Sequence, residues 1–290
     1  MPTSLRNEGY LHRGLALSLT VGVMLSLFVL RASAQTDESP ATEVASAEAS
    51  RFAWHVRAEL DANYLWRGLY CGGLSFQGEA DVSYYGFYVN TWWNVGATDW
   101  KWGKRDAAGK PITGLNPEID VALGYRYKGL MIQFIHMYYF DHYTDGTMSR
   151  YFDWGNHGPG EGGVTTEWRI AYRISDKVPL RLMWCTRTFG RDGYYTEGGE
   201  LKRAYSTYIE ARYDQPLPYD IVLSGVVGIT PWRSMYTGFE KKFAVVNLSV
   251  GINKAWKVAD YCSVDIGALI VFNPSSMQPL WNITTGVTFD

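Results

Sequence analysis

The sequence predicts an all-β chain closed on itself as a transmembrane antiparallel up-and-down barrel, most simply of twelve strands. Three observations carry this. Apolar and polar residues alternate with period 2 in segment after segment. The connections between segments alternate in length, and an export segment opens the chain. A strand sends successive side chains to opposite faces, so the alternation gives one apolar and one charged face. An apolar wall toward lipid and a polar wall toward a lumen is the pattern of a membrane barrel.

Residues 1–34 read as a signal peptide. Arg6, His12 and Arg13 precede an apolar run from Gly14 to Leu30, and Ala32-Ser33-Ala34 supplies an A-x-A cleavage site before Gln35. A membrane-anchoring helix is the alternative, because the run is near spanning length. The small-residue site that follows at once favours cleavage. Residues 35–50 (QTDESPATEVASAEAS) are small, polar and acidic and read as a disordered periplasmic lead-in. The barrel takes residues 51–290.

From Phe52 to Trp66 one side carries Phe52, Trp54, Val56, Ala58, Leu60, Ala62, Tyr64 and Trp66. The other carries Ala53, His55, Arg57, Glu59, Asp61, Asn63 and Leu65. Similar segments span 52–66, 74–84, 87–97, 116–125, 130–140, 164–174, 180–189, 204–213, 221–230, 243–253, 262–272 and 280–289. Most match the ~9–11 residues that cross a bilayer at a tilt. Aromatics gather near segment ends (Tyr64, Trp66, Tyr84, Trp93, Tyr125, Trp168, Trp184, Tyr213, Trp281 and Phe289), where interfacial girdles form. The connections after even segments are short: Tyr85-Gly86, Arg126–Gly129, Ser175–Pro179, Asp214–Asp220 and Lys254–Tyr261. Those after odd segments include 98–115, 141–163, 190–203 and 231–242. Long outer loops and short periplasmic turns fit an outer-membrane barrel with both termini in the periplasm. A secreted β-sandwich also alternates, but it does not call for matched charged rows or so many interfacial aromatics.

Composition narrows the class further. After the export segment no apolar run approaches the ~20 residues of a membrane helix. Setting aside residues 1–34, 24 Lys and Arg face 28 Asp and Glu, an acidic balance that argues against nucleic-acid binding. Cys71, Cys185 and Cys262 leave at least one thiol unpaired. With Cys71 in an outer loop and Cys262 near the periplasmic rim, all three read as free.

With the apolar face outward, the candidate pore lining is Arg57, Glu59, Asp61, Glu79, Asp81, Glu118, Asp120, Glu167, Arg169, Arg173, Arg181, Arg187, Glu210 and Arg212. His55, Gln77, Asn247, Asn253 and Asp265 share the inward rows. The fifth segment (LMIQFIHMYYF) is apolar on both faces, and its facing stays open. Carboxylates dominate segments one, two and four, and arginines dominate six to eight. Closure therefore sets an acidic wall across from a basic one. Such walls make a transverse field in an open pore, or they pair across a small lumen and plug it. Two functions follow: a passive or weakly selective channel for small hydrophilic solutes, or a closed barrel acting through loops 98–115 and 141–163 as a binding or structural protein.

Enzyme chemistry finds little support. The histidines after residue 34 are His55, His136, His142 and His157, and none stands in an H-x-S arrangement. The Gly-rich stretch Gly155–Gly163 lacks the Lys-Ser/Thr of a phosphate loop. Asp141 and Asp145 are the nearest approach to a calcium site, no spacing implies another metal, and no cofactor is implied.

The runs YLWRG at 64–68 and GGLSFQ at 72–77 resemble the opening hairpin of the TorF-type porin family of Gram-negative outer membranes. TTEWRIAYRI at 165–174, STYIEARYD at 206–214, GITPW at 228–232, FAVVNLSVGINK at 243–254, FNP at 272–274 and GVTF at 286–289 are similar too. The resemblance implies an outer-membrane barrel in lipid that passes small hydrophilic solutes. Likeness to bacterial outer-membrane proteins further implies that the last strand, with Trp281, Ile283, Thr285, Val287 and Phe289 on one face, is read by the barrel-assembly machinery. Asp290 follows the usual terminal aromatic.

Overall fold

The computed structural model describes residues 52–97, 117–141, 146–159 and 161–290. Expectations for residues 1–50, for loop 98–115, and for His142 and Asp145 lie outside them. In chain order the strands are β1 (Ala53–Asp61), β2 (Tyr64–Trp66), β3 (Leu69–Gly72), β4 (Ser75–Tyr84), β5 (Phe87–Gly96), β6 (Glu118–Tyr127), β7 (Leu130–Tyr138) and β8 (Val164–Arg173). They continue as β9 (Leu180–Gly190), β10 (Gly193–Tyr195), β11 (Leu201–Arg203), β12 (Thr207–Leu217), β13 (Ile221–Thr230), β14 (Ala244–Ala259), β15 (Cys262–Asn273) and β16 (Gln278–Phe289). One 3₁₀ turn, Met235–Thr237, precedes β14.

Twelve of these strands form a closed antiparallel barrel in the order β1-β16-β15-β14-β13-β12-β9-β8-β7-β6-β5-β4. The seam pairs β1 with β16, from Val56 opposite Phe289 to Asp61 opposite Thr284. Closure removes both sheet edges, which is the condition for backbone to cross a bilayer as strands. The remaining four strands make two small hairpins, β2-β3 and β10-β11.

Polarity is inverted relative to a soluble protein. His55, Arg57, Asp61, Gln77, Glu79, Asp81, Glu167 and Asp265 are buried, whereas Leu60, Phe76, Val82, Trp168, Ile170, Leu182 and Ile266 lie uncovered on the outside. The driving force is lipid contact for the outer wall and hydrogen bonding for the inner one. Two-residue turns join strands at the rim that carries both ends of the barrel. Tyr85-Gly86 and Lys128-Gly129 hold positive φ at both positions, the twist-matched geometry of a tight hairpin.

Three sequence expectations need correction. The first segment does not run straight to Trp66. It stops at Asp61, because the Asn63 backbone N–H donates to Asn282 Oδ1 at 2.9 Å and its side-chain amide to the Trp281 carbonyl at 3.0 Å, turning the chain inward. Tyr64 and Trp66 are therefore not girdle residues, whereas Tyr84, Trp168, Trp184, Tyr213 and Trp281 do lie uncovered on the outer wall. The expected turns at 214–220 and 254–261 are shorter. β12 continues to Leu217 and β14 to Ala259, as outward Trp256 and Val258 carry the alternation past the rim. In β7, left open by the sequence, Met131, Gln133, Ile135 and Met137 line the interior. Ile132 and His136 point outward, and the latter is covered by Tyr151, Phe152 and Trp154 at ring distances of 4.6, 5.7 and 6.2 Å.

Candidate functional site

The lumen is shaped by a segment that sequence reasoning placed in the wall. The β2-β3 hairpin folds into the barrel, with Arg67 and Gly68 at its tip. Their φ angles of 49° and 81° give another tight two-residue turn. Only glycine fits at position 68. A Cβ there would lie 1.9 Å from the Val246 carbonyl oxygen of β14, and the Gly68 carbonyl accepts from Asn273 Nδ2 of β15 at 2.9 Å.

Arg67 crosses to the far wall. Its guanidinium forks onto Glu167 of β8 at 2.6 and 2.7 Å and donates to Tyr236 Oη at 2.8 Å and Cys185 Sγ at 3.0 Å. Trp66 and Tyr208 lie 4.5 and 5.1 Å from the cation. Glu167 is 1% exposed and is also approached by Arg169 Nε at 3.4 Å. A bidentate pair desolvated among aromatics is a strong local latch once formed, since losing either member leaves a buried charge. Nearer the hairpin base, Tyr64 Oη donates to Glu118 at 2.9 Å. Burial, with Glu118 beside it, pushes the Cys71 thiol on β3 up to about 12, so it stays protonated. None of the three cysteines is in a disulfide, and Cys71, expected in an outer loop, instead lies on β3 lining the interior, because the chain turns inward after Asp61.

Around the hairpin lies a cavity of about 770 Å³. Of the sequence candidates, Arg57, Glu59, Glu79, Glu118, Asp120, Arg169, Arg181, Arg187, Glu210 and Arg212 line it, together with Tyr64, Trp66 and Arg67 from the hairpin. Asp61, Asp81, Glu167 and Arg173 occupy the same inward rows without lining that cavity. Asp61 accepts from Asn282, Asp81 from Arg126 at 3.0 Å, Glu167 from Arg67, and Arg173 sits 3.6 Å from Asp176.

The charge segregation persists around the ring. β9 stands diametrically across from β1 in the strand order. Both walls are nevertheless partly neutralised within themselves. On the acidic side Arg57 bonds Glu59 and Asp265. On the basic side Arg212 holds Asp214 at 2.8 Å, and Arg181 lies 3.8 Å from Glu210. Neighbouring pairs, more than pairs across the lumen, balance these arrays. Asp141 forms an ion pair with Arg191 at 2.7 Å. Among the described residues no cluster of three or more His, Cys, Asp or Glu could hold a metal ion.

A closed twelve-strand barrel with an apolar outer wall and a charged interior defines a transmembrane barrel of the bacterial outer membrane. No protein-family model matches the chain, and no curated protein matches it. Among solved structures the chain is similar to the NanC porin, at 9% identity and a TM-score of 0.42, over 82% of this chain and 100% of that one. It is also similar to the COG4313 outer membrane channel from Pseudomonas putida F1 (10%, 0.41, 81% of this chain and 94% of that one). Salmonella typhi OmpF, solved in complex with daunomycin, gives 7% and 0.33 over 82% of this chain and 97% of that one.

Proposed function

We propose that the protein is a passive or weakly selective channel for small hydrophilic solutes, not an enzyme, and that it is a TorF-type porin. One observation carries the reading: a cavity of about 770 Å³ inside a closed barrel, bounded by fixed charges of both signs. Apolar filling would stabilise a purely structural barrel at lower electrostatic cost. A polar chamber beside a folded-in hairpin is the arrangement that narrows an aqueous path and biases ions within it. In this reading residues 1–34 direct export, residues 35–50 form the lead-in, the assembly machinery inserts residues 51–290, and the candidate lining residues set selectivity.

The latched hairpin gives the second reading, a closed barrel acting through its surface loops, its own support. Liposome swelling separates the two. Proteoliposomes carrying the refolded barrel should swell in small sugars and progressively less in larger ones. Protein-free rates for the smallest sugar would leave the closed barrel as the function.

A further inference from the structure

Eight arginines line the central cavity, and seven of them have a carboxylate at 3.8 Å or closer. Arg187 of β9 does not. It is 4% exposed, and among the described residues it forms no ion pair. Its Nε has no hydrogen-bond partner. The carboxylates that act on it through space are Asp192, Glu167 and Glu118, the last of which accepts from Tyr64 Oη at 2.9 Å. Glu167 is engaged by Arg67 and Arg169, and Asp192 accepts the Ser206 backbone N–H at 2.8 Å through Oδ2, while its Oδ1 is buried without a hydrogen bond and makes no ion pair with Arg187. The guanidinium carbon lies 5.3 Å from the Trp66 ring centroid, and both residues line the cavity.

A buried guanidinium with no carboxylate in direct contact is costly, and its planar fork matches a carboxylate in a bidentate pair. Glu118 and Asp120 line the same chamber and disfavour a multiply charged anion there. We propose that Arg187, with Trp66 beside it, is the binding site for a singly charged, carboxylate-bearing solute inside the barrel. This deepens the channel reading by naming the class of solute, yet binding is readable without any flux.

The test is ¹⁹F NMR on the refolded full chain in micelles at low salt, titrating trifluoroacetate against its neutral isostere trifluoroacetamide. Fluorine gives no detergent background, and heat-modifiable migration reports folding. Wild type should broaden or shift the acid saturably and leave the amide unchanged. Arg187→Gln should weaken binding at least tenfold, whereas Lys257→Gln, exposed at the far rim, should not. Equal responses to acid and amide, or undiminished binding by folded Arg187→Gln, would overturn the site. Should Arg187→Gln fail to fold, Arg187→Lys carries the test: it keeps the charge without the fork, so weaker binding supports the site and unchanged binding overturns it. A conducting barrel that ignores trifluoroacetate removes this site alone. A barrel that binds it but does not conduct removes the channel alone.

Discussion

Replacing Arg67 by Met keeps most of the side chain's length and removes the charge that pins the hairpin to the far wall. Breaking a buried ion pair from one side costs about 3–5 kcal/mol, because the remaining charge is stranded. Glu167 is 1% exposed, so the full range applies in principle. Arg169 at 3.4 Å offers it partial compensation, which puts the expected cost near the lower end, about 3 kcal/mol. Residues 64–72 contribute nothing to the barrel ladder. The cost therefore falls on the docked hairpin, whose docked population relative to released should drop by roughly a hundredfold. Released, it should open the lumen. Single-channel conductance of Arg67→Met should rise above wild type, and chymotrypsin should cut at 64–70 where it does not in wild type. Adding Glu167→Gln removes the stranded charge and should recover part of the loss, giving a favourable coupling in a double-mutant cycle. Wild-type conductance and protease resistance in folded Arg67→Met would refute the latch.

Gly68→Ala should displace the hairpin more severely, since the new Cβ meets the Val246 carbonyl at 1.9 Å with φ at +81°; the same conductance and proteolysis assays should show release with the barrel intact. Replacing Arg181 and Arg187 together by Ser should shift the reversal potential in a salt gradient toward cations. Loss of folding instead would mark these arginines as structural partners of the carboxylates. Leu182, uncovered on the outer wall, is the contrasting position: Leu182→Arg should cost about 2–4 kcal/mol if it sits near the midplane, read by denaturant unfolding in lipid.

The barrel itself was legible because period 2 fixes facing once one face is apolar. His55, Arg57, Glu79, Glu118, Arg187 and Asp265 all turn inward as the alternation requires. The β2-β3 hairpin was hidden for the same reason. Tyr64, Trp66 and the residues between continue the alternation past Asp61, and a tryptophan that packs on Tyr236 inside a lumen looks like one that meets lipid. The available signals were local: Asn63, whose backbone N–H donates to Asn282 Oδ1 where the strand stops, and Arg67-Gly68, a turn dipeptide inside an apparent strand. β7 was illegible because Met131, Ile135 and Met137 line a lumen stretch that the hairpin leaves apolar, while His136 faces outward beneath loop aromatics. Alternation is lost where apolar side chains face inward and a polar one faces outward beneath a loop. The local pairing of Arg212 with Asp214 and of Arg57 with Glu59 was readable as same-face i, i+2 neighbours, although chain-order segregation drew attention to pairing across the lumen.

Planar-bilayer recording of the refolded wild-type protein tests the central claim most directly. The account predicts discrete, small conductance steps in potassium chloride, with a reversal potential displaced from zero in a salt gradient because fixed charges border the path. A correctly folded, heat-modifiable barrel that inserts but never conducts, both in wild type and after Arg67→Met, would contradict it.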